Sequence, residues 1–272
     1  MTWRPFHAVV EREMLKLARQ RGRLVAQMIR PLIWLFVIGG GLGAVMSRQG
    51  MANYQAFLVP GVLGMTMLFG AMLGAFSTVY DKESGVMRLL VIAPVPHAWV
   101  VAAKIVSATA LALVQGLMLL VVLAVLGYVD THVSFALLAA GMLATSLACA
   151  ATGMAVATFS GTLENYAVMM NVVIFPLFFI SGALYPVEML PQVLAVAALA
   201  NPLTYGVDIM KHAMLDGRAG TFAGAELGLW RDFAAVAFFT AVAAVIACVR
   251  FTRAAACEPL IHPQSRSRPR PA

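Results

Sequence analysis

The stretch VYDKESGVMRLLVIAPVPHAWVVAAK, residues 79–104, gathers Asp81, Lys82, Glu83, Arg88 and Lys104 between two long runs with no charge at all. Side chains of these types at this spacing are suited to docking. Charge follows the second apolar run directly, and Leu89, Leu90 and Ile92 add an apolar side that can seat in a partner's groove. Pro94 and Pro96 stop the element sharply before the next run, because proline removes a backbone donor and crowds the preceding turn. A short rigid rod tied to two apolar segments can pass on force. On the residues alone, a solvated turn is the other reading.

Other chemistries find little support. Metal-dependent membrane enzymes need clustered His, Cys or carboxylates, and no such cluster is visible along the chain, so no metal ligand is assigned. Cys149 and Cys248 fall in apolar runs and Cys257 in the tail; three cysteines without motif spacing point to packing. Glu164 with His97 is the nearest acid–base pair. No lysine follows a glycine, which excludes a GxxxxGK[ST] nucleotide loop. A basic face with interleaved aromatics is missing too, so nucleic acid is not expected as a partner.

The elements that must position the charged insert are membrane helices. With 61% hydrophobic residues, 11% charged residues and a mean hydropathy of +0.87, the chain has more apolar surface than a water-soluble domain can hide. Six uncharged runs are long enough to cross about 30 Å of hydrocarbon: 31–46, 57–79, 105–129, 135–159, 166–184 and 233–249. Helices satisfy the backbone internally, as lipid requires. The thirty charge-rich residues before the first run exceed a signal-peptide n-region, so that run is read as a retained span. The positive-inside rule puts both termini in the cytoplasm. Only Arg48, Lys211, Arg218 and Arg231 of the 19 basic residues then lie outside, and the insert is cytoplasmic.

Drawn this way, none of the six runs contains Asp, Glu, Lys, Arg or His. Ion-coupled carriers keep such groups near mid-membrane, so a secondary carrier or channel is the weaker alternative, and energy for uphill transport must enter from another polypeptide. Residues 1–29 carry Phe6, Val9, Val10, Met14, Leu17, Leu24 and Met28 at helical spacing, with Arg12, Lys16, Arg19 and Arg23 largely on other faces. This predicts an amphipathic helix in the cytoplasmic headgroup layer or an ordinary solvated leader helix. GGGLG (39–43) and GAMLG (70–74) space small residues for close helix packing, within the chain or between copies. Residues 175–217 are interrupted by Pro176, Pro186, Pro191 and Pro202. They read as a broken, re-entrant outer segment or as a plain loop with two surface helices. Phe175, Phe178, Phe179 and Tyr185 form an aromatic wall that either lines a greasy route or simply packs. The basic, proline-rich tail, 254–272, is expected to stay disordered against anionic lipid.

The insert also resembles a known family. YDKESGVMRLLVIAPVP is similar to the coupling segment of type-2 (ABC-2) ABC transporter permeases, roughly D-R-E-x-G-x-L-R-x-x-L-x-A-P-V. Asp81, Lys82, Glu83, Gly85, Met87, Arg88, Ala93, Pro94 and Val95 fall on it without a gap; Lys82 and Met87 are conservative departures, and Leu90 can cover for Val91. FPLFFISGALYPVEMLPQVL with NPLTYGVDIMKHAML resembles the family's outer-leaflet signature, and FLVPG (57–61) is a third match. The multidrug and lipo-oligosaccharide export branches look nearest. The resemblance implies an all-α polytopic membrane protein with six transmembrane helices, an N-terminal interface helix (1–29) and a permease domain (30–253). That domain would hold a coupling segment at 80–100 and re-entrant outer helices at 182–217 in the fifth span. It further implies a multi-pass subunit of a bacterial inner membrane, paired with a second permease copy and two ABC ATPase subunits. Asp81, Lys82, Glu83, Gly85, Arg88, Leu90 and Pro94 would face the ATPase. No cofactor would sit on this chain, ATP and Mg being held by the ATPase, and the cargo would be amphipathic or lipid-like.

Overall fold

The computed structural model describes residues 3–19, 21–48, 54–87, 96–129, 132–215 and 228–257. Arg88, Leu90 and Pro94 of the coupling segment and the tail beyond 257 lie outside the described residues. The described residues form helices joined by turns and short loops, with no strand among them, as expected for an all-α membrane protein. In chain order they form α1 (Trp3–Arg19), α2 (Arg21–Gln27), α3 (Ile29–Arg48), α4 (Tyr54–Glu83) and α5 (His97–Val125). These are followed by α6 (Phe135–Phe159), α7 (Leu163–Ile180), a short 3₁₀ turn (Val187–Met189), α8 (Gln192–Leu199), α9 (Pro202–Leu215) and α10 (Leu229–Cys257).

Among the described residues, six helices are long and apolar enough to cross a membrane: Leu24–Gly43, α4, α5, α6, α7 and Leu229–Arg253. Each overlaps one of the six runs drawn from the sequence, but most overrun it, and the overruns carry charge inward. Arg30 lies in the first, Lys104 is only 3% exposed inside α5, and Asp232 is fully buried in the first turn of α10. The expectation of spans free of ionisable groups holds for the runs as drawn and fails for the helices as formed. A helix continues until its backbone is capped; it does not stop at the first charge, and long side chains can turn back to a partner.

α4 is the axis of the bundle. Its thirty residues make a rod of about 45 Å at 1.5 Å per residue, and Leu58, Leu63, Met67, Leu68 and Met72 along it are fully buried. Between helices in lipid the attraction is packing, which small residues permit. A Cβ on Gly74 would sit 2.7 Å from Ala108 Cα, and one on Gly70 3.0 Å from Ala112 Cα. The GAMLG motif therefore seats α5 on α4 within one chain. GGGLG differs: Gly40, Gly41 and Gly43 have nothing within 4 Å.

The proline-rich segment is a bent pair, with α8 and α9 meeting at 83°. α9 is no surface helix: Leu203, Val207, Ile209, Met210 and Ala213 are buried in the core. That rules out the reading as a loop with two surface helices. Pro176, expected to interrupt, is accommodated inside α7. Gly182, with φ at +74°, makes the sharp turn after α7 in a backbone region that glycine enters without a Cβ penalty.

Candidate functional site

At the end of the bundle that carries α1, three helices meet through charge. The Asp81 carboxylate, 1% exposed, accepts from Arg12 Nη2 at 2.5 Å and from Lys104 Nζ at 2.5 Å. Glu13, 8% exposed, takes a second bond from Lys104 at 2.8 Å, one from Arg12 at 2.9 Å and one from Lys16 at 3.3 Å. Lys104 is completed by Ser77 Oγ at 3.1 Å. Burial alone would discourage charge on Glu13, but Lys104, helped by Lys16 and Arg12, outweighs it and holds the carboxyl down at about 2. The sequence reading put the α1 charges largely on faces other than the apolar one and named no partner for them. Arg12, Glu13 and Lys16 are the side by which α1 docks, and a cavity of about 500 Å³ opens beside them, lined by Met14, Ser77, Tyr80 and Ser107.

Lys82 and Glu83 face other elements. Lys82 Nζ donates to the carbonyls of Ala157, Thr158 and Ser160 at 2.9, 3.2 and 3.3 Å, meeting acceptors at the C-terminus of α6 that the helix itself leaves open. Glu83 Oε2 accepts from the Leu163 amide at 3.1 Å, where the N-terminus of α7 favours an anion. Thr162 caps the same helix by accepting from the Asn165 amide at 3.2 Å. Three successive residues at the end of α4 thus fasten four other helices. Gly85 follows at φ +77°, with nothing within 4 Å of where a Cβ would stand.

A second feature is a cavity of about 580 Å³ between α3, α4 and α5, lined by Gln27, Arg30, Trp34, Thr66, Phe69 and Gln115 among others. The Arg30 guanidinium lies 4.3 Å from the Phe69 ring centroid, and Gln115 donates to Gln27. The aromatic wall drawn from sequence is split. Phe178 is 1% exposed and packs edge-on against Trp34 at 5.5 Å, whereas Phe175 and Phe179 are open and stacked at 6.3 Å. Tyr185 donates its hydroxyl to the Phe179 carbonyl at 2.7 Å.

At the opposite end Tyr54 donates to the Leu184 carbonyl at 2.8 Å, and Lys211 to the Gly182 carbonyl at 2.7 Å. Lys211 also sits 4.1 Å from the Phe57 ring centroid. Asn201 ties α9 to α7 through the Leu177 carbonyl at 2.7 Å. His97 packs edge-on against Phe251, and no ion pair joins it to Glu164 among the described residues. Sequence reasoning missed Arg12 and Lys104 as partners of Asp81 and Glu13 as the second carboxylate on Lys104, and missed that Arg30 and Lys104 fall inside the candidate spans. A lone lysine seven residues inside an apolar helix was the available signal.

Among the described residues, six helices long and apolar enough to cross a membrane, an N-terminal helix locked to one end of the central rod and a bent helix pair at the other define a multi-pass membrane protein. The chain matches the model of the ABC-2 type transporter family over residues 4–215. It belongs to that family and is a transport permease. Among similar proteins are nodulation protein J of Rhizobium leguminosarum bv. trifolii, 29% identical over 195 residues (71% of this chain and 74% of that one), and nodulation protein J of Rhizobium meliloti (strain 1021), 28% identical over 225 residues (81% and 84%).

Proposed function

We propose that this chain is the membrane half of an ATP-driven exporter, working as two copies with two ABC ATPase subunits that bear ATP and Mg, in a bacterial inner membrane with both termini cytoplasmic. The observation that carries the reading is the triple fastening at the end of α4: a push on residues 80–100 is handed to α1 and α5 by Asp81, to α6 by Lys82 and to α7 by Glu83. Gly85, Arg88, Leu90 and Pro94 complete the surface offered to the ATPase. An amphipathic, lipid-like cargo fits the cavity at Arg30, where Gln27 and Gln115 stand beside Trp34 and Phe69. Phe175 and Phe179, open on α7, are assigned to its route, with Phe178 and Tyr185 supporting them.

A second reading, a carrier without an ATPase, gains from the buried Asp208 and Asp232, which give it the ionisable groups that the drawn spans lacked. One experiment separates the two. The tagged chain is purified from its native membrane and assayed for ATP hydrolysis, then reconstituted alone and assayed for uphill transport. Hydrolysis that accompanies a co-purified ATPase, and that Glu83→Lys abolishes at unchanged membrane level, supports the exporter. Uphill transport by the chain alone sinks it.

A further inference from the structure

At the end of the bundle away from α1, α9 carries Asp208 and His212 one turn apart, and the first turn of α10 carries Asp232. A carboxylate oxygen from each aspartate and an imidazole nitrogen all lie within 4.8 Å of one another. Asp208 is 6% exposed and Asp232 is fully buried. Among the described residues no hydrogen-bond donor reaches either oxygen of Asp232 or Oδ2 of Asp208. Lys211, the neighbouring cation on α9, is committed elsewhere, to the Gly182 carbonyl and the Phe57 ring. His212 Nδ1 lies 3.0 Å from the Asp208 carbonyl oxygen.

Buried acceptors without donors are exceptions that require an explanation, and two carboxylates held together out of water cannot both stay ionised without positive charge nearby. A shared proton would satisfy one oxygen only, and His212 Nδ1, 3.7 Å from Asp208 Oδ2, stands beyond hydrogen-bond reach of it. A dication balances both carboxylates and takes the imidazole as a third donor. Nδ1–H donation to the Asp208 carbonyl would fix the tautomer and leave Nε2 its lone pair, as ligating histidines generally arrange. One nitrogen and two carboxylate oxygens suit Zn²⁺ or Mn²⁺ better than Ca²⁺ or Mg²⁺, which favour all-oxygen shells. The His212 side chain keeps 21% of its surface accessible, enough for an ion to enter.

We propose that Asp208, His212 and Asp232 form a divalent transition-metal site that clamps the buried arm of the bent pair to the last membrane helix. Nothing in the transport reading requires this site, so the two stand or fall separately.

The test uses the full-length protein in nanodiscs, stripped with chelator, equilibrated in separate samples with zinc chloride or manganese chloride and desalted. Metal per chain is then read by elemental mass spectrometry and the unfolding temperature with and without zinc. Wild type should retain one zinc per chain and unfold at a higher temperature with it. Asp232→Asn and His212→Gln should each drop the ratio to near zero and abolish the zinc-dependent shift, while His7→Ala, on the exposed face of α1, keeps both. The wild-type arm decides even where a variant folds poorly. Zinc and manganese both absent from the wild type after equilibration overturns the site and leaves the pair to a proton. Retention by both variants at the wild-type ratio overturns it equally.

Discussion

Replacing Lys104 with methionine keeps the length of the side chain and removes its charge, leaving Asp81 and Glu13 buried with one fewer cation. Both members of the Lys104–Asp81 pair are 2% exposed at the side chain. Breaking a buried pair by deleting one partner costs about 3–5 kcal/mol. Arg12 and Lys16 remain beside the carboxylates, so the lower figure applies, about 3 kcal/mol or a fall of roughly 6–10 °C in unfolding temperature. Acid should narrow the gap between variant and wild type. Glu13 has its carboxyl at about 2 in the folded protein against 4.5 unperturbed. The folded state thus binds fewer protons than the unfolded one between those values. Its contribution, about 2 kcal/mol after allowance for partial solvent screening, is present above pH 4.5 and lost as the pH falls toward 2. Lys104→Met has already given up most of that contribution, so it should lose less between pH 6 and pH 3. Differential scanning fluorimetry in detergent across this range reads both effects. Asp81→Asn combined with Lys104→Met should be milder than the sum of the single changes by about 1–2 kcal/mol. An unfolding temperature for Lys104→Met within a degree of wild type, or strict additivity in the double variant, would refute the network as a coupled unit.

Two further outcomes are expected. Lys82→Met deletes the donor to three carbonyls at the end of α6 and should cost about 1.5–3 kcal/mol, with hydrogen exchange rising first around residues 155–162; unchanged exchange there would show that α4 and α6 are held otherwise. Gly74→Val forces side-chain atoms into Ala108 and should destabilise by about 1–3 kcal/mol, whereas the same change at Gly40, which meets nothing, should be nearly silent in monomeric detergent preparations; equal effects at the two positions would contradict the packing described.

The helices and the family were legible in the sequence because both rest on local signals: long uncharged runs, and nine residues of the insert falling on a known pattern without a gap. Partners were not. In lipid, the packed and lipid-facing sides of a helix are both apolar, so the pattern carries little contrast between inside and outside. Phe135 at 62% exposure and Met142 at 2% sit on the same helix and look alike in sequence. The Glu13–Lys104 contact spans 91 residues, and Asp232 meets His212 across a connection that no periodicity foretells. The partners of the α1 charges stayed hidden because helical spacing tells which side chains share a face and not what that face meets. The split of the aromatic wall has a similar cause, since Phe178 and Phe179 are adjacent in sequence and a helix turns adjacent residues about 100° apart.

The two ends of the molecule are joined by α4. Near its start, Tyr54, Phe57, Gly61 and Gly64 meet Leu184, Lys211, Ala183 and Val207, all belonging to the outer turn and the bent pair. At its finish, Asp81, Lys82 and Glu83 hold α1, α5, α6 and α7. A Cβ on Gly61 would stand 2.8 Å from Ala183 Cα and closer still to its carbonyl oxygen, a contact too close to slide. Packed interfaces of this kind switch between discrete arrangements and do not deform smoothly. Under the proposed reading, a shift imposed on residues 80–100 therefore reaches the Gly182 turn as movement of a rod about 45 Å long, with little loss to bending. The same geometry sets the requirement on the far end. Whatever α4 moves must be stiff enough to respond as one piece, and a bent pair of helices joined at 83° is stiff only where something fastens its buried arm. Lys211 on Gly182 and Asn201 on Leu177 fasten it to α7. On the side of α10 the charged groups within reach are Asp208, His212 and Asp232, which is why the occupancy of that cluster bears on how far motion of α4 is carried outward.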